Sequence, residues 1–264
     1  MATVKDVYCY LDLKAPFYSQ LGFDNSGFLV GRADKEIRRI LVALDITEEV
    51  VSEAAELQAD LIVSHHPVIW EAPKSVTDES ILGRKLLGLI ENDIAAICAH
   101  TNLDAAIGGV NDCLASALGL YDTQLLKAYG SYNDGTLFGI EQIGILAGEP
   151  CALVEFAAVV KEKLGSNGVR YVDSGRPVHK VAVGGGSCSS SIKDVAAAGC
   201  DTFVTADVKY DGFLDAKALG LNLIDAGHYP TENLVCPVLL DWLKTGFPNV
   251  EVLLSKHKEV FNYL

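Results

Sequence analysis

The sequence predicts an α/β protein made of two similar α/β domains with mostly parallel sheets. Three observations carry that expectation. Short apolar, β-rich runs alternate with helical patterns along most of the chain. One stretch near residue 40 lies over another 141 residues later without a gap. Hydrophobic residues make up 50% of the 264, enough to bury a sizeable core in each half.

Taken in order, RRILVALDI (38–46) reads as a strand. TEEVVSEAAELQA (47–59) reads as a helix with Thr47 as N-cap and acidic residues in its first turn. DLIVS (60–64) is the next strand, SILGRKLLGLIEND (80–93) a helix, IAAICAH (94–100) a strand and GVNDCLASALGL (109–120) a helix. Such alternation means βαβ units. Between 129 and 150, turn residues flank alternating runs, which predicts antiparallel strands. PCALVEFAAVVKEKLG (150–165) is a helix with Pro near its start and Gly at its end. A second βαβ pattern follows in HKVAVGGG, a helix over about 190–198, and DTFVTADV. LNLIDAGH (221–228) is a strand, 231–246 a helix despite Pro237, and VEVLLS (250–255) a last strand. We expect a first domain of 1–125 plus 230–264 and a second of 126–229.

The internal repeat pairs RILVALDITEEVVSEAAELQADLIVSHH (39–66) with KVAVGGGSCSSSIKDVAAAGCDTFVTAD (180–207). Val42, Ala55, Asp60 and Val63 meet identical residues at Val183, Ala196, Asp201 and Val204. The shared phase of strand, turn, helix and strand says more than those identities.

Composition narrows the function. The formal net charge is −14, and no Lys/Arg cluster offers a footprint for nucleic acid. No apolar run approaches the ~20 residues of a membrane span. The start, MATVKDVYCYLDLKAP, has no basic region followed by an apolar one, so a soluble, cytoplasmic protein is expected. The seven cysteines form no C-x-x-C and are expected to be reduced.

Three strands end in histidine: DLIVSHH, IAAICAH and LNLIDAGH. His100 and His228 are each followed four residues later by a carboxylate, Asp104 and Glu232. Parallel sheets bind ligands at the carboxyl ends of their strands, so these ends can converge. Imidazole and carboxylate together suit Zn, Fe, Mn, Co or Ni. His65, His66, His100, Asp104, His228 and Glu232 exceed one tetrahedral zinc and match two divalent ions per subunit. A bridging hydroxide with a pKa near neutrality would then serve as nucleophile. Neighbouring residues of a regular strand point to opposite faces, so His65 and His66 are expected to splay at the strand end, one for each ion. His179 and His257 stand outside this pattern and are expected at the surface.

Two further stretches are candidates for substrate contact. VAVGGGSCSSSI (181–192) leads from a strand through glycines into a helix, and Gly185, Gly186 and Ser187 can cradle a phosphate or simply turn the chain. In TADVKYDGFLDA (205–216), Asp207 falls opposite His66 in the repeat, so Asp207, Lys209 or Tyr210 can stand at the edge of the site, or the stretch can simply be a capped turn into a helix.

These motifs together resemble the Nif-three-like dinuclear-metal family, also labelled GTP cyclohydrolase I type 2. DNSGFLVG (24–31), RRILVALDIT (38–47), ADLIVSHHPVIW (59–70), AAICAHTNLDAAIGGVND (95–112), RPVHKVAVGGGS (176–187), TADVKY (205–210) and LIDAGHYPTEN (223–233) follow its motifs in its order. The resemblance implies the Nif-three-like fold, the same six ligands with Glu232 as bridge, and a toroidal hexamer with metals facing an inner cavity. It implies a nucleotide or another phosphorylated small molecule as substrate. Only the 63 residues 113–175 separate GGVND from RPVHK, so the domain some members insert there is expected to be absent. The chain departs from the pattern at Phe23, where the family has Trp, at Gly184, where its turn begins with Cys, and at Asp211, where His follows VKY. The expected activity is metal-dependent hydrolysis, with GTP ring opening as the reaction the label suggests. The competing expectation is a metal-braced scaffold, a metal store or chaperone, or a regulatory protein.

Overall fold

The runs read as strands form the middles of two sheets, except the last, which forms an edge, in a computed structural model that describes residues 1–264. The chain divides into two units, Met1–Ile107 with Val235–Lys258, and Gly108–Leu234 with Glu259–Leu264.

The sheet of the first unit runs Gly27–Val30, Ala95–Cys98, Leu61–Ser64, Arg39–Ala43, Glu251–Leu254. All neighbours are parallel except the edge strand Gly27–Val30, which is antiparallel. Every residue of Leu61–Ser64 and Ala95–Cys98 is buried, as befits parallel strands covered on both faces. One core cluster joins Leu41, Ile62 and Ala96 of this sheet to Val50, Val51 and Ala54 of helix Glu48–Glu56 and to Leu86 and Leu89 of helix Ile81–Glu91. Thr47 caps the first of these helices by accepting from the Val50 N–H, as expected. A helix for which the sequence raised no expectation, Val4–Lys14, opens the chain with a reciprocal cap between Thr3 and Asp6.

The six-stranded sheet of the second unit runs Leu120–Leu125, Gln142–Leu146, Lys180–Val183, Thr202–Thr205, Asn222–Asp225, Arg170–Val172. Its central three strands are parallel and its flanking strands antiparallel. The expected antiparallel region appears partly as the short pair Gly130–Ser131 and Leu137–Phe138, and partly as Gln142–Leu146 in the main sheet.

The unit boundaries fall elsewhere than the expected 125/126 and 229/230. Leu120–Leu125 pairs with Gln142–Leu146, and Leu114 and Ala115 of helix Val110–Ala117 pack with Phe156, Val181 and Val204. Strand pairing and burial therefore carry this segment into the second unit. The single helix expected over 231–246 is two, His228–Glu232 and Val235–Gly246. Pro237 stands in the first turn of the latter, where a missing N–H costs no helical hydrogen bond. No helix is long and apolar enough to cross a membrane.

The internal repeat survives in three dimensions. Arg39–Ala43 and Lys180–Val183 start 141 residues apart, and Leu61–Ser64 and Thr202–Thr205 keep the same offset at both ends. Asp60 accepts hydrogen bonds from the N–H groups of Arg38 and Arg39, and Asp201 accepts them from His179 and Lys180. The same aspartate thus ties the start of one strand to the start of the next in both units.

Candidate metal centre

In the first unit, the register of the parallel strands decides which side chains meet. Ala43 lies beside Ser64, and Ser64 beside Cys98. The chain continues from these ends into Asp45, into His65 and His66, and into His100, all at the carboxyl edge of one sheet. His65 is fully buried and its Nε2 lies 3.6 Å from Asp104 Oδ1. The His65 and His66 rings lie 4.9 Å apart, and each is within 5.5 Å of the His100 ring. All three histidines offer ligand atoms within 4.8 Å of one another, close enough to hold a metal ion. His65 and His66 thus turn toward a common neighbour once the strand has ended at Ser64. Ser64 Oγ bonds to the His66 carbonyl at 2.8 Å and helps hold that turn.

The outer nitrogen of each ring is anchored. His65 Nδ1 sits 2.9 Å from the Ala99 carbonyl oxygen, which can only accept. Nδ1 therefore carries a proton, and Nε2 is the ring atom left to act as a metal ligand. His66 Nδ1 lies 2.8 Å from Asp45 Oδ1, and His100 Nδ1 lies 2.8 Å from Asp24 Oδ1. This pattern of a ring gripped at Nδ1 by a carbonyl or carboxylate is the one metal-binding imidazoles use. Burial of Asp24 favours its neutral acid, but hydrogen bonds from His100, Thr101 and Ser26 outweigh that and hold it well below the usual carboxylate range. It is therefore an anion beside His100.

In the second unit, His228 and Glu232 lie one turn apart on the short helix that follows strand Asn222–Asp225. His228 Nε2 is 3.0 Å from Glu232 Oε2, and His228 Nδ1 is 2.7 Å from Asp207 Oδ2. Asp207 holds a left-handed φ of 52°, a conformation Asp tolerates better than most residues. Glu232 is 3% exposed and lies against Gly186, whose φ is 61°. A Cβ at Gly186 would come within 2.0 Å of Glu232 Oε1. The glycine turn thus leaves room for the carboxylate.

The substrate candidates divide. The Gly185 N–H donates to Asn111 Oδ1 and the Gly186 N–H to Thr231 Oγ1, so both amides are engaged within the protein. Ser187, Lys209 and Tyr210 are exposed, and Asp207 grips His228. His257, expected at the surface, is largely buried, with Nε2 3.8 Å from the same Asp45 that grips His66. Sequence reasoning passed over Asp24 and Asp45. Asp45 lies just past a strand end on the edge that carries the histidines, and that placement could have found it. Asp24 sits on a loop and meets His100 only through tertiary packing.

The donor set fits divalent transition metals: neutral imidazole lone pairs, with carboxylates to offset charge. The whole chain is also similar to known proteins. The family model described as Duf34/NIF3 (NGG1p interacting factor 3) matches residues 2–259. The GTP cyclohydrolase 1 type 2 homolog of Clostridium perfringens is 35% identical over 99% of both chains. The GTP cyclohydrolase 1 type 2 of Helicobacter pylori is 33% identical over 88% of each. Among solved structures, the Bacillus cereus protein related to NIF3 superposes with a TM-score of 0.93 at 26% identity, covering 100% of this chain and 99% of that one. Reduced HcgD from Methanocaldococcus jannaschii gives 0.82 at 29% identity, covering 97% and 98%.

Proposed function

Because the chain belongs to the DUF34/NIF3 family, we propose that it holds two divalent transition-metal ions and works as a metal-dependent hydrolase. The ligands in this reading are His65, His66, His100, Asp104, His228 and Glu232. The observation that carries it is the histidine trio, with ligand atoms within 4.8 Å of one another and each Nδ1 anchored. Bound there, the ions supply Lewis acidity and a water-derived nucleophile near neutral pH. The protein's own groups do the rest. Asp24, Asp45 and Asp207 fix ring orientation and hold the Nδ1 proton away from the metal side. Asp104 and Glu232 bring negative charge into buried positions, where it offsets the cations. The relatives' name supports GTP as substrate, with ring opening and release of formate.

Metal analysis of the isolated protein should find about two equivalents per chain. His65→Ala and Glu232→Ala should each lose a large part of that metal while circular dichroism stays unchanged. About two equivalents in both variants would sink the assignment. The loaded wild type should release formate from GTP. Silence with Zn, Fe, Mn, Co and Ni alike would remove the GTP reaction and leave the metal centre standing.

A further inference from the structure

The strongest feature that the metal reading leaves unused is a pair of exposed aromatic side chains, one of them beside His100. Trp70 is 50% exposed and Phe23 66% exposed. Large aromatic surface left in water needs an occupant or a reason. The Trp70 ring stands edge-on to His100, with centroids 5.4 Å apart and planes at 76°. Phe23 meets Trp70 at 6.2 Å with the planes tilted by 45°, so neither ring covers the face of the other.

The pair is fastened to the histidines by three consecutive residues. Asp24, next to Phe23, grips His100 Nδ1 and accepts from the Thr101 N–H. Asn25 Nδ2 donates to the Ile69 carbonyl at 2.7 Å, which pins the loop where Trp70 begins. Ser26 Oγ donates to Asp24 and accepts from the His100 N–H. One short segment therefore sets the histidine and both aromatic rings in a common frame. Loose surface aromatics would need no such bracing.

We propose that Trp70 and Phe23 form a stacking platform for a planar heteroaromatic ring of the substrate, nucleobase-like, whose polar edge is thereby turned toward the histidine cluster. This rests on the metal-centre reading for its chemistry and adds the residues that would hold the ring of its substrate. Flat faces select a ring over an aliphatic chain, and stacking on aromatic side chains tolerates many heterocycles. The nearby imidazoles and carboxylates suit a ring bearing donors and acceptors rather than a plain phenyl.

The chain has two tryptophans, and the other is Trp242. In the metal-loaded Trp242→Phe variant, Trp70 is the sole tryptophan reporter. Guanosine, adenosine and uridine should be titrated against its fluorescence, with ribose 5-phosphate as the ring-free control. Quenching by at least one nucleoside and none by ribose 5-phosphate is the expected result. Equilibrium dialysis of the best nucleoside, with Trp242 intact, should show binding about tenfold or more weaker in Trp70→Leu, weaker to a lesser degree in Phe23→Ala, and largely kept in Trp70→Phe. Trp70→Leu should retain wild-type metal content. Equal affinity in Trp70→Leu and wild type, or no quenching by any of the three nucleosides, would overturn the platform. So would a change of oligomeric state in Trp70→Leu with nucleoside binding intact, since the rings would then serve a partner copy. Failure of the metal reading shows separately, as metal retained in His65→Ala, and leaves the dialysis result unaffected.

Discussion

Gly186 shows how much a single atom can decide in this protein. Its φ of 61° is one that a side chain resists, and a Cβ would fall 2.0 Å from Glu232 Oε1. Gly186→Ala therefore incurs backbone strain and also pushes a buried carboxylate from its seat. We expect a loss of about 2 kcal/mol or more in chemical denaturation, together with reduced metal content. Gly148, where φ is 93° and nothing lies within 4 Å of a Cβ, serves as the control. Gly148→Ala should show the strain alone, about 1 kcal/mol, with metal unchanged. Equal metal retention in both variants would mean that the glycine turn does not seat Glu232. The histidines make a related point at this scale. His65 differs from its neighbours in being anchored by a carbonyl, whereas His66 and His100 are anchored by carboxylates.

Among elements, the repeated strand–helix–strand pattern is held by a repeated aspartate. Asp60 and Asp201 each stand at the start of a strand and receive two backbone N–H groups from the strand beside it. Hydrogen bonds to a charged acceptor are worth about 1.5–3 kcal/mol, and leaving buried donors unmet costs more. Asp201 is 6% exposed and also accepts from Thr202 Oγ1. Asp60 is less buried and lies 3.6 Å from Lys35 Nζ. Asp201→Ala should therefore destabilise by about 2–4 kcal/mol and Asp60→Ala by less, as read from denaturant midpoints at constant slope. The reverse order would show that burial does not govern the strength of this tie.

For the whole molecule, charge is the governing quantity. A chain of formal net charge −14 repels copies of itself. The ring-shaped hexamer implied by the resemblance would have to overcome that repulsion through apolar contact and screening. At about 0.15 M salt the Debye length is about 8 Å, and at about 0.01 M it is about 30 Å. Sedimentation velocity should thus show a species of six times the 28.2 kDa chain at the higher salt, and smaller species at the lower. A single species of chain mass under both conditions would remove the ring. The two units differ in sheet construction. The first has a single antiparallel edge strand, whereas the second closes both flanks of a parallel centre with antiparallel strands from the middle of the chain.

The sequence by itself determined the βαβ units, the repeat and the histidine-bearing strand ends. Apolar period and turn residues are local signals, and parallel strands must carry their carboxyl ends to one edge. It also carried Thr47 as a cap and the His228–Glu232 spacing, which are set within one helical turn. The tertiary structure alone decided where the units divide, because an edge strand joins whichever sheet satisfies its hydrogen bonds. It alone decided that Asp24 grips His100 from 76 residues away, that Asp45 lies between His66 and His257, and that Trp70 stands beside His100. It also turned His65 and His66 toward one neighbour, where strand alternation taken alone would separate them. Alternation ends where the ladder ends at Ser64, and beyond it the side chains answer to their partners.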